Sequence, residues 1–185
     1  WEFASRLLEM HGRPVNVARV VEDKPAEITL RNLMASERLK IVDMSEGVPA
    51  TIELLQALRR NEIVAMQGDR VYQRHRADVP FFSQPTSFPL GPFLLSQVSG
   101  APVLPGFVIR QGWLRYRALM GDPIPPVPSQ VASQVKSQVT SGDGNGDAAL
   151  QEALGQAVRF LEKTLTSHYD QWMNFFEFWP VASGE

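Results

Sequence analysis

The chain has 185 residues, 44% hydrophobic and 21% charged, with a net charge of −2. That balance is globular rather than disordered, exerts no global pull toward nucleic acid or an anionic surface, and is long enough to bury a core. The absence of cysteine excludes disulfides, thiolate nucleophiles and cysteine metal sites, and no run of about 18 apolar residues reads as a bilayer-spanning helix. The chain opens on Trp1 with no signal-peptide pattern, so it is read as a processed form or part of something longer.

In chain order, Phe3, Leu7, Leu8 and Met10 predict a short helix stopped by Gly12 and Pro14. Val15, Val17, Val20 and Val21 read as a strand. Asp23-Lys24-Pro25 opens a second helix with Ile28, Leu30, Leu33 and Met34 on its apolar face. Leu39 to Met44 is a short buried strand. Ser45 is the expected N-cap of a helix carrying Ile52, Leu55 and Leu58 at helical spacing and ending in Arg59-Arg60, which suits the helix dipole. The continuous apolar run Ile63-Val64-Ala65-Met66 predicts a central strand. Alternation of helix and strand implies an α/β layer with parallel strands and crossover helices. Gly68-Asp69-Arg70 then falls at the C-terminal edge of a strand, where such sheets bind ligands.

Residues 71 to 90 read as loop, with an Arg74-His75-Arg76 patch and Pro80, Pro85 and Pro89. A short helix starts after Gly91, with Pro92 in its first turn. Val103 to Ile109 is the next strand. Leu114, Tyr116, Ala118 and Met120 alternate with Trp113, Arg115, Arg117 and Leu119 in a half-exposed strand, with the hairpin turn expected at Gln111-Gly112. Residues 122 to 147 are a linker rich in Pro, Ser, Gln and Gly. Leu150, Leu154, Val158, Leu161 and Leu165 mark an amphipathic helix that packs back on the domain.

Motif tests eliminate several chemistries. No Gly-x-Ser-x-Gly elbow and no phosphate loop ending in Gly-Lys-Ser/Thr is present. Asp143, Asn145 and Asp147 imitate a calcium loop, but Ala148 and Leu154 stand where Gly and Glu are required. His11, His75 and His168 are dispersed, without metal-ligand spacing.

Five blocks recur in order: Val79-Pro80-Phe81-Phe82, Phe88-Pro89-Leu90-Gly91-Pro92, Gly100-Ala101-Pro102-Val103-Leu104-Pro105 with Arg110 beyond it, and Gln171-Trp172-Met173-Asn174-Phe175-Phe176-Glu177-Phe178-Trp179, preceded at the start by Trp1-Glu2-Phe3-Ala4 and Arg6-Leu7-Leu8. Together they resemble the bacterial lipid A biosynthesis (lauroyl/myristoyl) acyltransferases of the lysophospholipid acyltransferase superfamily, in particular the branch associated with glycosyltransferases. The resemblance implies an α/β fold with a central, mostly parallel sheet flanked by helices and a C-terminal amphipathic helix. It implies an acyltransferase core over residues 1–121, a linker or loop over 122–147, a packing helix region over 148–179 and a tail over 180–185.

The family pattern is a His, four residues, then Asp or Glu. Glu2 matches the acidic member, which places the His just upstream of Trp1. Five steps along a helix rotate by about 140°, so such a pair cannot share one helix face. The His belongs on the preceding turn, with Glu2 orienting its ring. The implied reaction moves a fatty acyl group from an acyl carrier protein or CoA thioester, as co-substrate, to a hydroxyl of a lipid or glycolipid. No further cofactor and no metal is expected. The implied setting is peripheral, on the cytoplasmic face of the bacterial inner membrane, without nucleic acid.

The resemblance also carries Asp69, Arg70, Phe82, Gly91, Pro92 and Arg110 into the substrate-binding set. Asp69 either fixes a loop or pairs with Arg, or simply caps the strand end. Arg70, with Arg74 and Arg76, offers a positive patch for a phosphate. Phe82, with Phe81, Phe88, Phe93, Leu94 and Leu95, supplies apolar surface for an acyl chain or for ordinary core. Gly91 and Pro92 open a helix whose backbone N–H groups could meet a phosphate or oxyanion, and Arg110 could meet a phosphate or carboxylate. Arg31 and Arg38 match too poorly to include. The C-terminal aromatics read first as a packing plug and second as a membrane-interface surface. The alternative function is a catalytically incomplete homologue that binds lipid or a partner protein.

Overall fold

A computed structural model describes residues 12–20, 38–71, 75–128, 148–174 and 178–179. The helices expected around residues 3–10 and 24–34 lie outside them. The fold is mixed α/β and comprises two compact units, Trp1–Gln67 and Gly68–Glu185.

The first unit holds a parallel sheet of β1 (Val15–Arg19), β2 (Leu39–Asp43) and β3 (Ile63–Met66) in the order β2-β1-β3. Val15 aligns with both Leu39 and Ile63. The central strand is therefore β1, and the apolar run at Ile63–Met66 forms a flank of the described sheet rather than its centre. β1 is buried from Val15 to Ala18, as parallel pairing covered on both faces demands. Its buried Asn16 is satisfied, donating through Nδ2 to Glu62 Oε2 at 2.9 Å and more weakly to the Ile63 carbonyl. The Arg60 guanidinium, and then Asn16, hold the Glu62 carboxyl below the usual carboxylate range.

A 3₁₀ turn, Met44–Glu46, separates β2 from α1 (Val48–Arg59). Ser45 sits inside that turn and donates its N–H to Asp43 Oδ1 at 2.9 Å, so Asp43 caps the turn and Gly47, at φ 68°, begins α1. The buried positions of α1 are Ala50, Leu54 and Ala57, while Ile52 is exposed. The small alanines, invisible to a search for large apolar residues, mark the face that packs. The helix ends in a Schellman motif: Glu62 N–H reaches the Ala57 carbonyl, Asn61 N–H reaches Leu58, and Asn61 adopts φ 61°.

The second unit begins with a hairpin, β4 (Arg76–Phe81) and β5 (Gln84–Pro89), where loop was expected. Ala77, Val79 and Phe81 alternate with exposed Arg76, Asp78 and Pro80 in strict strand period. Counting outward from the two-residue turn, pairs alternate between hydrogen-bonded and non-bonded. Pro80, Pro85 and Pro89 all fall on non-bonded pairs, so the ladder never needs their missing N–H. The turn residues Phe82 and Ser83 both have positive φ, as a type I′ turn requires. Leu90 N–H closes the open end on the His75 carbonyl, and α2 (Gly91–Ser99) follows.

After α2, Val103 and Ile124 form an isolated antiparallel bridge. The strand expected from Val103 begins only at Gly106, because Pro102 and Pro105 interrupt the donors. A second hairpin pairs β6 (Gly106–Gly112) with β7 (Arg115–Met120), with an irregularity between Arg110 and Gly112 that moves the turn to Trp113-Leu114. Finally α3 (Ala148–His168) lays Leu150, Ala153, Leu154, Val158, Leu161, Thr164 and Leu165 inward, in a core shared with Phe81, Phe88, Phe93 and Ile124. Each such Leu or Val contributes about 1.5–3 kcal/mol.

Candidate functional site

The site is built around the last described turn. A 3₁₀ turn, Tyr169–Gln171, continues from α3 and hands the chain to Trp172. The Gln171 side-chain amide acts as a strand residue would. Its Oε1 accepts from Arg110 N–H at 2.8 Å and its Nε2 donates to the Arg110 carbonyl at 3.2 Å. The next residue reaches elsewhere: Trp172 Nε1 donates to Asp69 Oδ2 at 3.2 Å. Two consecutive side chains thus tie the Asp69 loop and the end of β6 to one turn.

The Trp172 ring stands in an aromatic cluster. Its centroid is 5.8 Å from Phe81 and 4.9 Å from Phe178, both edge-on. Trp179 stacks on Phe81 at 5.6 Å with planes 13° apart, and its Nε1 reaches the Phe81 carbonyl at 3.4 Å. Phe81 is fully buried at the centre of this group, and Phe88 meets it at 5.4 Å. The C-terminal Phe178 and Trp179 are thus packed into the unit's core, the first of the two roles their composition suggested. Phe175–Glu177 lie outside the described residues.

Phe82 stands at the rim, 4.8 Å from Phe81 and still 45% exposed. Its N–H donates to the Glu162 carboxylate on α3, which holds the strained turn in place. Nothing local in the sequence marks Glu162, which sits at the edge of the α3 apolar stripe, far in the chain from its partner.

Arg70 is exposed beside half-buried Asp69. The Arg110 side chain is exposed, while its backbone is held by Gln171. Gly91 and Pro92 begin α2 at the far end of β5 from Phe82, about 17 Å of extended strand away. Pro92 has no N–H, and Phe93 and Leu94 both donate to the Leu90 carbonyl at 3.0 Å, so among these first-turn amides only Gly91 N–H points outside the helix pattern. The structure therefore links Asp69 and Phe82 through Trp172 and Phe81, ties the Arg110 backbone to the residue before Trp172, and sets Gly91 and Pro92 apart. Glu2 and Arg74 lie outside the described residues. Among the described residues no three His, Asp or Glu side chains cluster as metal ligands.

What this part offers chemically is the half-exposed ring of Phe82 at the margin of a packed aromatic cluster, with the Asp69 carboxylate bonded to Trp172 on that same cluster. Residues 1–179 match the sequence family described as bacterial lipid A biosynthesis acyltransferase. A curated relative, phosphatidylinositol mannoside acyltransferase of Mycobacterium tuberculosis, is 32% identical over 109 residues, in the CDC 1551/Oshkosh and the ATCC 25618/H37Rv strains alike. The aligned stretch is 57% of this chain and 34% of the relative, about a third of its length.

Proposed function

The chain belongs to the family of bacterial lipid A biosynthesis acyltransferases, and on that premise we propose that the protein transfers a fatty acyl group from a thioester donor to a hydroxyl of a lipid or glycolipid. The family match along residues 1–179 carries this reading, and the exposed part of Phe82 and the exposed Arg70 and Arg110 side chains are consistent with it. A fatty chain gains about 0.8 kcal/mol for each methylene it buries against apolar surface, whereas the anionic part of a donor or acceptor needs a cation such as Arg110 or Arg70.

In the proposed mechanism Glu2 accepts from one nitrogen of a His that precedes it by five positions, upstream of Trp1. The other imidazole nitrogen takes the proton from the acceptor hydroxyl as its oxygen attacks the thioester carbonyl. The new C–O bond forms, the C–S bond breaks, and the leaving thiolate recovers the proton from the imidazolium. No covalent acyl-enzyme is required. The donor is an acyl carrier protein or CoA thioester, and the work is done peripherally at the cytoplasmic face of the inner membrane.

The test is acyl transfer by the full protein, comparing acyl carrier protein and CoA thioesters, with Glu2→Gln as the variant. Turnover should fall about 10²–10⁴-fold, the usual share of general acid–base assistance, with the circular dichroism spectrum unchanged. Undiminished turnover in Glu2→Gln would remove Glu2 from the mechanism.

A further inference from the structure

The β6–β7 hairpin ends in a tip unlike any other exposed part of the described structure. Trp113 is 90% and Leu114 75% exposed, side by side, with Leu114 at φ 57°. Such a pair is a poor choice for a surface turn, where small or polar residues relieve positive φ. Behind the tip the hairpin carries Arg110, Arg115 and Arg117, all exposed, and no acidic residue between Gly106 and Met120. Arg110 pairs with Tyr116 and Arg117 with Ile109, which puts the arginines on both faces of the ribbon. The Arg115 guanidinium folds back over Gly112, at the base of the turn. Neither Arg115 nor Arg117 is held in an ion pair among the described residues. A local charge of +3 thus surrounds an apolar tip on a chain whose net charge is −2.

Each ingredient points to one kind of surface. A Trp ring favours the boundary between headgroups and acyl chains, being apolar in body and polar at its N–H. A Leu beside it gains by leaving water. Cations just behind an inserted tip meet an anionic headgroup layer, each worth about a fivefold gain in binding. No described helix is long and apolar enough to cross a membrane, and two apolar side chains at a turn flanked by arginines suit the interfacial layer rather than the hydrocarbon centre.

We propose that the β6–β7 tip is a membrane-docking element, with Trp113 and Leu114 entering the interface of an anionic bilayer while Arg115 and Arg117 engage its headgroups. This deepens the acyltransferase reading, which needs a lipid acceptor. It also assigns the docking to a named element: β6 ends in this tip and contains Arg110, the residue clamped by Gln171. Docking the tip would bring that strand close to the lipid surface.

The experiment is flotation of the full protein with vesicles of phosphatidylcholine alone or mixed with phosphatidylglycerol. Trp113→Phe identifies which part of the tryptophan emission responds to lipid. Expected is binding to the mixed vesicles with a blue shift that Trp113→Phe removes. Trp113→Ser with Leu114→Ser should weaken binding by about a hundredfold or more. Arg115→Gln with Arg117→Gln should weaken it by about thirtyfold, and added salt should weaken wild type more than the arginine variant. Equal binding to both vesicle types, undiminished binding of the tip variant, or no binding by wild type would each overturn the proposal. Lipid-free self-association abolished by the tip variant, without vesicle binding, would also overturn it and make the tip a contact between copies. Glu2→Gln should float as wild type does. Failure of the acyltransferase reading then appears as absent turnover with flotation intact, and failure of docking as flotation absent in wild type or undiminished in the tip variant, with turnover on detergent-dispersed acceptor intact.

Discussion

The two hairpins of the second unit are the same local object put to different uses. Both are two-stranded antiparallel ribbons closed by a two-residue turn with non-glycine residues at positive φ: Phe82 and Ser83 in one, Leu114 in the other. The β4–β5 ribbon lays Ala77, Val79, Phe81, Thr86 and Phe88 into the core, and its turn is held by Glu162. Among the residues of β6 and β7 only Ile109 is fully buried, and the tip stands in solvent. A two-stranded ribbon is marginal by itself, so the helix it meets decides whether it becomes core or protrusion. Backbone strain at the first turn is offset by a partner within the fold. At the second, it is left beside an exposed tryptophan.

That contrast can be broken most forcefully at Phe81. Replacing it with Ala should cost about 3–5 kcal/mol of unfolding free energy in a denaturant titration, since a fully buried ring with several aromatic neighbours leaves a cavity. Next come the residues that clamp the rim. Trp172→Phe keeps an aromatic side chain but removes the donor to Asp69, and Gln171→Ala leaves both backbone groups of Arg110 to water. Each should cost about 0.5–1.5 kcal/mol, with loss of acyl transfer exceeding loss of stability if the clamp positions Asp69 and the Arg110 backbone. Glu162→Ala should cost about 1 kcal/mol by freeing the Phe82 N–H, and adding Ser83→Gly should recover part of it by relieving positive φ. At the other ribbon, Trp113→Ser with Leu114→Ser should change stability by no more than about 0.5 kcal/mol, because neither side chain is packed. A large loss there would mean that the tip belongs to a core, and the contrast would collapse.

The parts that sequence alone made legible are those governed by local period. The α3 stripe from Leu150 to Leu165 is buried position by position, and α2 starts at Gly91-Pro92 because proline suits a first turn. β4–β5 stayed hidden because prolines within a run normally demote a strand, and only the register shows that they occupy harmless positions. The order β2-β1-β3 was out of reach for a different reason: Ile63–Met66 looks central by composition, but neighbours in a sheet are chosen by crossovers, not by hydropathy. For the candidate site, residue types near Asp69, Phe82 and Arg110 were visible. Their gathering was not, because the bond from Trp172 to Asp69 spans 103 positions of sequence.

The prolines of β4–β5 have a consequence beyond the ladder. The amides of a two-stranded ribbon that point away from the partner strand belong here to Arg76, Asp78 and Pro80 on one side and to Pro85, Ser87 and Pro89 on the other. Three of those positions carry no donor at all, and Asp78 adds a charge that Ser87 engages. A foreign strand meets a single outward donor, Ser87 N–H, along β5 and an interrupted row with a charged Asp78 along β4, so this ribbon, though it carries phenylalanines, is a poor seed for β-aggregation.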